Sequence, residues 1–234
     1  STIVLNTIVA EAFSDACDVL EKADDFDMAV HDLIKQYASE HERIVFNGDG
    51  YSQEWVEEAE RRGLPNIKTM VETIPYLMTD KTVNLFEKFG VFTRAELESR
   101  AEIKYETYAK VINIESRAMI DIASKHIIPA VIKYITSLAN SINEVKAACG
   151  FVDVSVQTEL LEESSKLLGD TRNALKKLIE VTDVADGMKR GKKQAEFFKD
   201  EVVPVMQSLR TPVDKLEMIV NKEMWPMPSY GDLL

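Results

Sequence analysis

The run Thr93-Arg-Ala-Glu-Leu-Glu-Ser-Arg-Ala-Glu-Ile-Lys-Tyr-Glu-Thr-Tyr-Ala-Lys-Val-Ile-Asn-Ile-Glu-Ser-Arg-Ala-Met-Ile-Asp-Ile-Ala-Ser-Lys-His-Ile-Ile-Pro129 decides the fold. Thr93 and Glu96 have the spacing of a capping box, in which each side chain satisfies the other residue's free backbone N–H at a helix start. From there Leu97, Ala101, Tyr105, Tyr108, Val111, Ile112, Met119 and Ile122 keep three- and four-residue steps. Past Pro129 the stripe resumes at Val131, Ile135, Leu138, Ile142, Val145 and Cys149, and Gly150 is suited to the position after a helix end. One interior proline removes one hydrogen bond and crowds the preceding turn, so a kink near Lys125 to Pro129 is expected, not two helices. The spacing predicts a helix of about 55 residues, roughly 80 Å at the usual rise.

Downstream, a second stripe runs through Val156, Leu160, Leu161, Leu167, Leu168, Leu175, Leu178 and Ile179. It continues, across the weak point Asp186-Gly187, through Met188, Ala195, Phe198, Val202 and Val205 to about Leu209. Two arms of similar length joined by a short turn at Gly150 to Asp153 predict a long antiparallel helical hairpin over about 93–209. Thr211-Pro212-Val-Asp214 then reads as N-cap, N1 proline and first-turn acid of a last helix, 212–224, stopped by Trp225-Pro-Met-Pro228. The tail from Ser229 to Leu234 is too short to fold alone and is expected to dock through Trp225 and Tyr230.

Upstream the pieces are shorter. Leu5, Ile8, Val9, Ala12, Phe13, Ala16, Val19 and Leu20 predict a first helix, about Leu5 to Lys22, with this face buried. Asp24-Asp25 can cap a second helix carrying Phe26, Val30, Leu33, Ile34 and Tyr37. Ile44-Val-Phe leads into Asn47-Gly-Asp-Gly50, whose paired Asn-Gly and Asp-Gly steps call for positive φ in a tight turn or loop. Ser52 caps a short acidic helix that Gly63-Leu-Pro65 ends, Thr69 and Glu72 form another capping box before Pro75, and Asp80 caps a piece ending at Gly90. The expected fold class is all-α: a helical bundle with a long antiparallel hairpin plus short peripheral helices.

The 234 residues carry a formal charge of −12 and a sequence pI near 4.8. That field repels phosphate backbones and anionic lipid, which argues against nucleic acid and membrane as partners. Cys17 and Cys149 are too few and too separated for a disulfide framework or a zinc site, so a reducing cytoplasm fits. The start lacks the basic region of a secretory signal, and Ser1 in place of an initiator Met is expected of a processed or excised chain.

Each chemical motif has a plainer reading beside it. Asn47, Asp49 and Glu58 sit at positions 1, 3 and 12 of a calcium loop, but Tyr51 stands at ligand position 5 and Ser52 at position 6, where glycine is obligatory, so a capped helix start is favoured. His31, His41 and His126 are scattered, with Ala38 and Ala123 where a Glu-x-x-His metal motif would place its acid. Glu115 lies on or beside the long apolar stripe and is expected to be tied to an Arg or Tyr, with Arg100 and Arg117 as candidates. Lys189-Arg-Gly-Lys-Lys193 reads as a solvated surface or a contact between subunits. With no phosphate loop, nucleophile elbow or Cys-x-x-Cys present, no catalytic, cofactor-binding or metal-binding residue is assigned.

Several of these runs together resemble the C-terminal part of the type III glutamine synthetases. Arg43-Ile-Val-Phe-Asn-Gly-Asp-Gly-Tyr-Ser52, Trp55-Val, Glu60-Arg-Arg-Gly-Leu64, Val91-Phe-Thr-Arg-Ala-Glu-Leu-Glu-Ser-Arg100 and Ile112-Asn-Ile-Glu115 are similar in type and order. So are Asn6-Thr-Ile-Val-Ala-Glu-Ala-Phe13, Ile127-Ile-Pro-Ala130 and Trp225-Pro-Met-Pro228, while 152–210 rests on helical character alone. The resemblance implies terminal helices and a loop of the synthetase catalytic domain in 1–65 and a helical C-terminal domain in 66–234. It also implies a parent reaction, ATP-dependent amidation of glutamate, whose Mg or Mn ligands and phosphoryl-binding arginines lie upstream of Ser1. The implied partners are the rest of the catalytic domain and other subunits of a homo-oligomer, and the Asn47–Asp49 loop is either structural packing or a border of the substrate mouth. Two other readings stay open: a stand-alone helical interaction module, and a catalytic bundle that would hold metal.

Overall fold

A computed structural model describes residues 2–228 and 232 of the chain, and among these residues every regular element is helical. They group into two compact units, Ser1–Lys104 and Tyr105–Leu234.

In the first unit, helix α1 spans Thr2–Leu20 and α2 spans Phe26–Glu40, with Asp25 as N-cap accepting from the Met28 N–H at 3.0 Å. A 3-10 turn at Glu42–Ile44 precedes α3, Gln53–Arg61, and α4, Met70–Thr73, starts on the capping box of Thr69 and Glu72. Helix α5, Asp80–Lys88, is capped one residue earlier than expected: the Thr79 hydroxyl accepts from the Thr82 N–H, and Asp80 is the first helical residue. Gly63 and Gly90 adopt φ of 69° and 60°, the left-handed turn that ends α3 and α5 at little cost for glycine. The small core is Val83, Phe86 and Leu97, with Val4, Met78, Val91 and Phe92 packed against it.

The long helix forms as a continuous stretch of 55 residues in three segments: α6 Arg94–Ile122, a π-helical turn Ala123–Ile127, and α7 Ile128–Ala148. Its start has the Thr93/Glu96 box, with the Thr93 N–H donating to Glu96 at 2.8 Å and the Glu96 N–H to the Thr93 hydroxyl at 3.3 Å. At the proline the Ile128 N–H reaches back five residues to the Ala123 carbonyl. A π-turn widens the helix where the Pro129 ring would strike the carbonyl of the preceding turn, which accommodates the proline without a break.

Helix α8, Ser155–Asp186, packs antiparallel to α7 as the hairpin requires. Its arm does not run on to Leu209. The chain reverses at 187–191, where Gly191 adopts φ of 122°, and returns as α9, Lys192–Phe197, a π-turn, Phe198–Val202, and α10, Val203–Ile219. The second arm is therefore two helices folded on one another, and the unit is a three-helix bundle. Ile127, Val131 and Tyr134, then Leu167, then Leu216 and Val220 meet in one core cluster, one set from each side. Pro204 repeats the solution at Pro129: the Val203 N–H bonds to the Phe198 carbonyl, five residues back, one position before the proline.

The separate last helix is also corrected. Thr211 is not an N-cap: its hydroxyl donates to the Gln207 carbonyl at 3.0 Å, and α10 passes through buried Pro212 without interruption. Val205, Leu209 and Leu216 on either side are buried, so packing outweighs one lost backbone bond. The helix stops at Ile219, not at 224. Trp225 lies half-buried on the core cluster and its indole N–H donates to Glu217 at 3.1 Å, whereas Tyr230 lies outside the described residues. No helix among the described residues is long and apolar enough to cross a membrane.

Candidate functional site

Helix α1 turns the wrong way round for an outer helix. Val4, Thr7, Glu11 and Ser14 face inward, and Thr7 is the one residue of the helix that is buried. Val4 reaches the small core, and Lys88 of α5 holds Glu11 at 2.6 Å and Asp15 at 3.8 Å. The predicted apolar stripe is therefore not covered: Leu5, Ile8, Val9 and Phe13 are 62, 49, 51 and 68% exposed, and Val19 and Ile3 join them. Full burial of one such side chain is worth about 1.5–3 kcal/mol, so a continuous row left in water marks a surface made to be covered.

Beside α1 in the sequence, the 43–62 segment is built stiffly. The Arg62 guanidinium donates to the Arg43 carbonyl at 3.2 Å and the Val45 carbonyl at 2.6 Å, tying the extended piece to the end of α3. Phe46 stacks on Trp55 with centroids 4.5 Å apart, and Arg62 sits 5.8 Å above the same indole. Glu58 accepts from Arg61 at 2.6 and 2.7 Å and from Arg62, and these guanidiniums hold its carboxyl well below the usual range, at about 2. The Asp49 carboxylate accepts from the Tyr51 N–H at 2.9 Å, the Ser52 hydroxyl donates to the Asp49 carbonyl at 2.8 Å, and Ser52 in turn caps α3.

The glycines of this loop act differently from the expectation of positive φ, since among the described residues only Gly63, Gly90 and Gly191 have it. Gly48 is needed for space: a Cβ there would stand 2.6 Å from the Phe46 ring. Asn47, Asp49 and Glu58 do not converge, because Glu58 is committed to two arginines and Asp49 to its own turn. Among the described residues no three His, Cys, Asp or Glu side chains form a group that could hold a metal ion.

The other singled-out residues are dispersed. Glu115 is exposed on α6 instead of lying on the buried stripe; neither named arginine holds it, for Arg117 pairs with Asp183 at 2.9 Å and Asp186 at 3.4 Å and Arg100 lies 4.1 Å over the Phe92 ring. A helix advances 100° per residue, so a position between two buried ones in sequence can still face water. His31 approaches Asp32 at 3.4 Å on the surface, His41 packs tilted against Tyr37, and His126 is in the first π-turn. Lys189 to Lys193 form the reversal between α8 and α9 and its first helical residues. Arg62 and Gly48, the residues that build the loop, carried only weak sequence signals: nothing distinguishes Arg62 from Arg61 until the fold shows which one reaches back.

Among known proteins, the family described as glutamine synthetase C-terminal domain matches residues 29–146. The chain is 33% identical over 211 residues to a glutamine synthetase of Butyrivibrio fibrisolvens, covering 90% of this chain and 30% of that protein. It is 32% identical over 239 residues to the type-3 glutamine synthetase of Dictyostelium discoideum, covering 99% and 32%. A glutamine synthetase of Bacteroides fragilis is 31% identical over 212 residues, covering 89% and 29%. The chain thus spans about a third of the length of these curated relatives.

Proposed function

This chain belongs to the glutamine synthetase C-terminal domain family, and from that premise we propose that it is the non-catalytic C-terminal part of a cytoplasmic ligase that amidates glutamate at the expense of ATP. In this reading α1 to α3 and the 43–62 segment close the outside of the catalytic domain, whose own strands hold ATP and Mg or Mn. The three-helix bundle supplies contacts between subunits of a homo-oligomer. The observation that carries the reading is the uncovered row Leu5, Ile8, Val9 and Phe13 on α1, an apolar face of the kind that a neighbouring domain buries.

The test replaces the matching segment of the Butyrivibrio fibrisolvens relative with this chain. The chimera is expected to make glutamine from glutamate, ATP and ammonia, and the paired change Ile8→Asp with Phe13→Asp to abolish that activity while leaving the melting of the isolated chain unchanged. Glutamine formation by the isolated chain, or full activity of the doubly substituted chimera, overturns the proposal.

A further inference from the structure

Helix α7, in the second unit, buries one face and leaves the other open. Val131 and Tyr134 go into the core, while Ile132, Thr136, Asn140, Asn143 and Ala147 recur at three- and four-residue steps on the opposite side and are exposed, Ile132 by 49%. That strip carries no charge, although 29% of the chain is charged. The Thr136 hydroxyl donates to the Ile132 carbonyl at 2.8 Å, so its polarity is satisfied within the helix. Charge depletion of this kind marks the middle of an interface.

The charges sit on its rim. Lys133 and Glu144 lie on the same flank, about three turns or 16 Å apart along the axis, too far to pair within one helix. Neither makes a hydrogen bond or ion pair among the described residues. A second α7 laid antiparallel on the strip, with a two-fold axis between Leu138 and Ala139, brings Lys133 of each copy level with Glu144 of the other on that flank. The helix is thus complementary in charge to itself. The same axis sets Ile132 between Asn143 and Ala147 of the second copy.

The ends match as well. Phe151, just past the end of α7 in the turn to α8, is 99% exposed. The axis places it level with His126 of the second copy, where an open cleft of about 390 Å³ has Pro129, Ala130, Met224 and Pro226 in its walls. Lys133 lines the same cleft, so the cleft and the ion pair share one flank. An aromatic side chain standing wholly in water gains most by entering such a cleft. We propose that α7 is a two-fold docking surface for a second copy of this chain, with Phe151 of each copy seated in the cleft between Pro129 and Met224 of the other. This deepens the role in subunit contacts given above to the bundle and rests on it only for the presence of other copies.

Sedimentation of the chain carrying Ile8→Asp with Phe13→Asp, which removes the open row of α1 as a rival contact, tests it. A dimer of the 26.4 kDa chain with a micromolar Kd is expected. Glu144→Lys is expected to weaken it about tenfold, because two opposite pairs become two like pairs, and Phe151→Ser by about as much. Adding Lys133→Glu to Glu144→Lys restores the parent Kd, as does an equimolar mixture of the two single variants. All three side chains are exposed, so the variants keep the bundle folded. The proposal is overturned by a monomer throughout the micromolar range, by an unchanged Kd in Glu144→Lys or Phe151→Ser, or by a double variant as weak as the single ones. Because dimerisation is read without ligase activity, an inactive chimera leaves this contact standing, and a monomeric chain leaves the ligase reading standing.

Discussion

The first seventy residues and the three-helix bundle have the same secondary structure and opposite packing. Between Thr2 and Met70 only Thr7 is buried, and α2 and α3 bury nothing, whereas α8 alone buries Ser164, Leu167, Thr171, Leu175, Leu178, Thr182 and Ala185 at regular steps. Both segments are amphipathic. The bundle covers most of each apolar stripe within the chain, although Val111 and Val156 stay 45 and 64% exposed, whereas α1 shows most of its stripe to water. Helices of this length gain most of their stability from packing, so α1 to α3 depend on local devices: caps at Asp25 and Ser52, the Arg62 ties and the Phe46–Trp55 stack.

The contrast breaks most directly by truncating one phenylalanine in each region. Phe198→Ala, at 1% exposure in the bundle, is expected to cost about 3–5 kcal/mol in urea unfolding. Phe13→Ala, 68% exposed, is expected to stay within about 0.5 kcal/mol of the parent chain. Equal losses would mean that α1 is covered in solution.

A smaller effect of opposite sign probes how completely the bundle is satisfied. The hydroxyl of Thr182 is buried and has no hydrogen-bond partner. Thr182→Val keeps the shape and removes that orphan, so a gain of about 1 kcal/mol is expected in the same unfolding experiment. A loss would show that the hydroxyl has a partner in solution. Ser52→Ala removes the cap of α3 and should cost about 1 kcal/mol locally, read as faster amide exchange over 53–61 with no change in α8.

The smallest expected effect is one of pH. The Arg61 and Arg62 guanidiniums donate to the charged form of Glu58 and hold its carboxyl down at about 2, from an ordinary 4.5. A depressed carboxylate stabilises the fold above its unfolded pKa and loses that contribution as pH falls from about 4.5 towards 2. Glu58→Gln is therefore expected to flatten the acid loss of α3 order in that window, measured by amide exchange, and the bundle should not respond. Identical acid profiles for the two chains would show that the arginines do not hold Glu58 in solution.

Much of this was legible beforehand because it is local. Thr93 with Glu96, Thr69 with Glu72, Ser52, Asp25 and the glycines at 63 and 90 mark helix ends through bonds that span three to five residues, which the sequence spells out. The 55-residue helix through Pro129 follows from unbroken periodicity, since one missing N–H cannot undo a buried stripe. Periodicity alone determined that the chain is helical and which faces are apolar. It could not say what covers each face. The reversal at 187–191, the passage of α10 through Pro212, the exposure of Glu115 and the open side of α1 were decided by the tertiary structure. Each depends on contacts between residues distant in sequence, such as Leu167 with Leu216, whose packing energy exceeds the local preferences of a glycine or a proline.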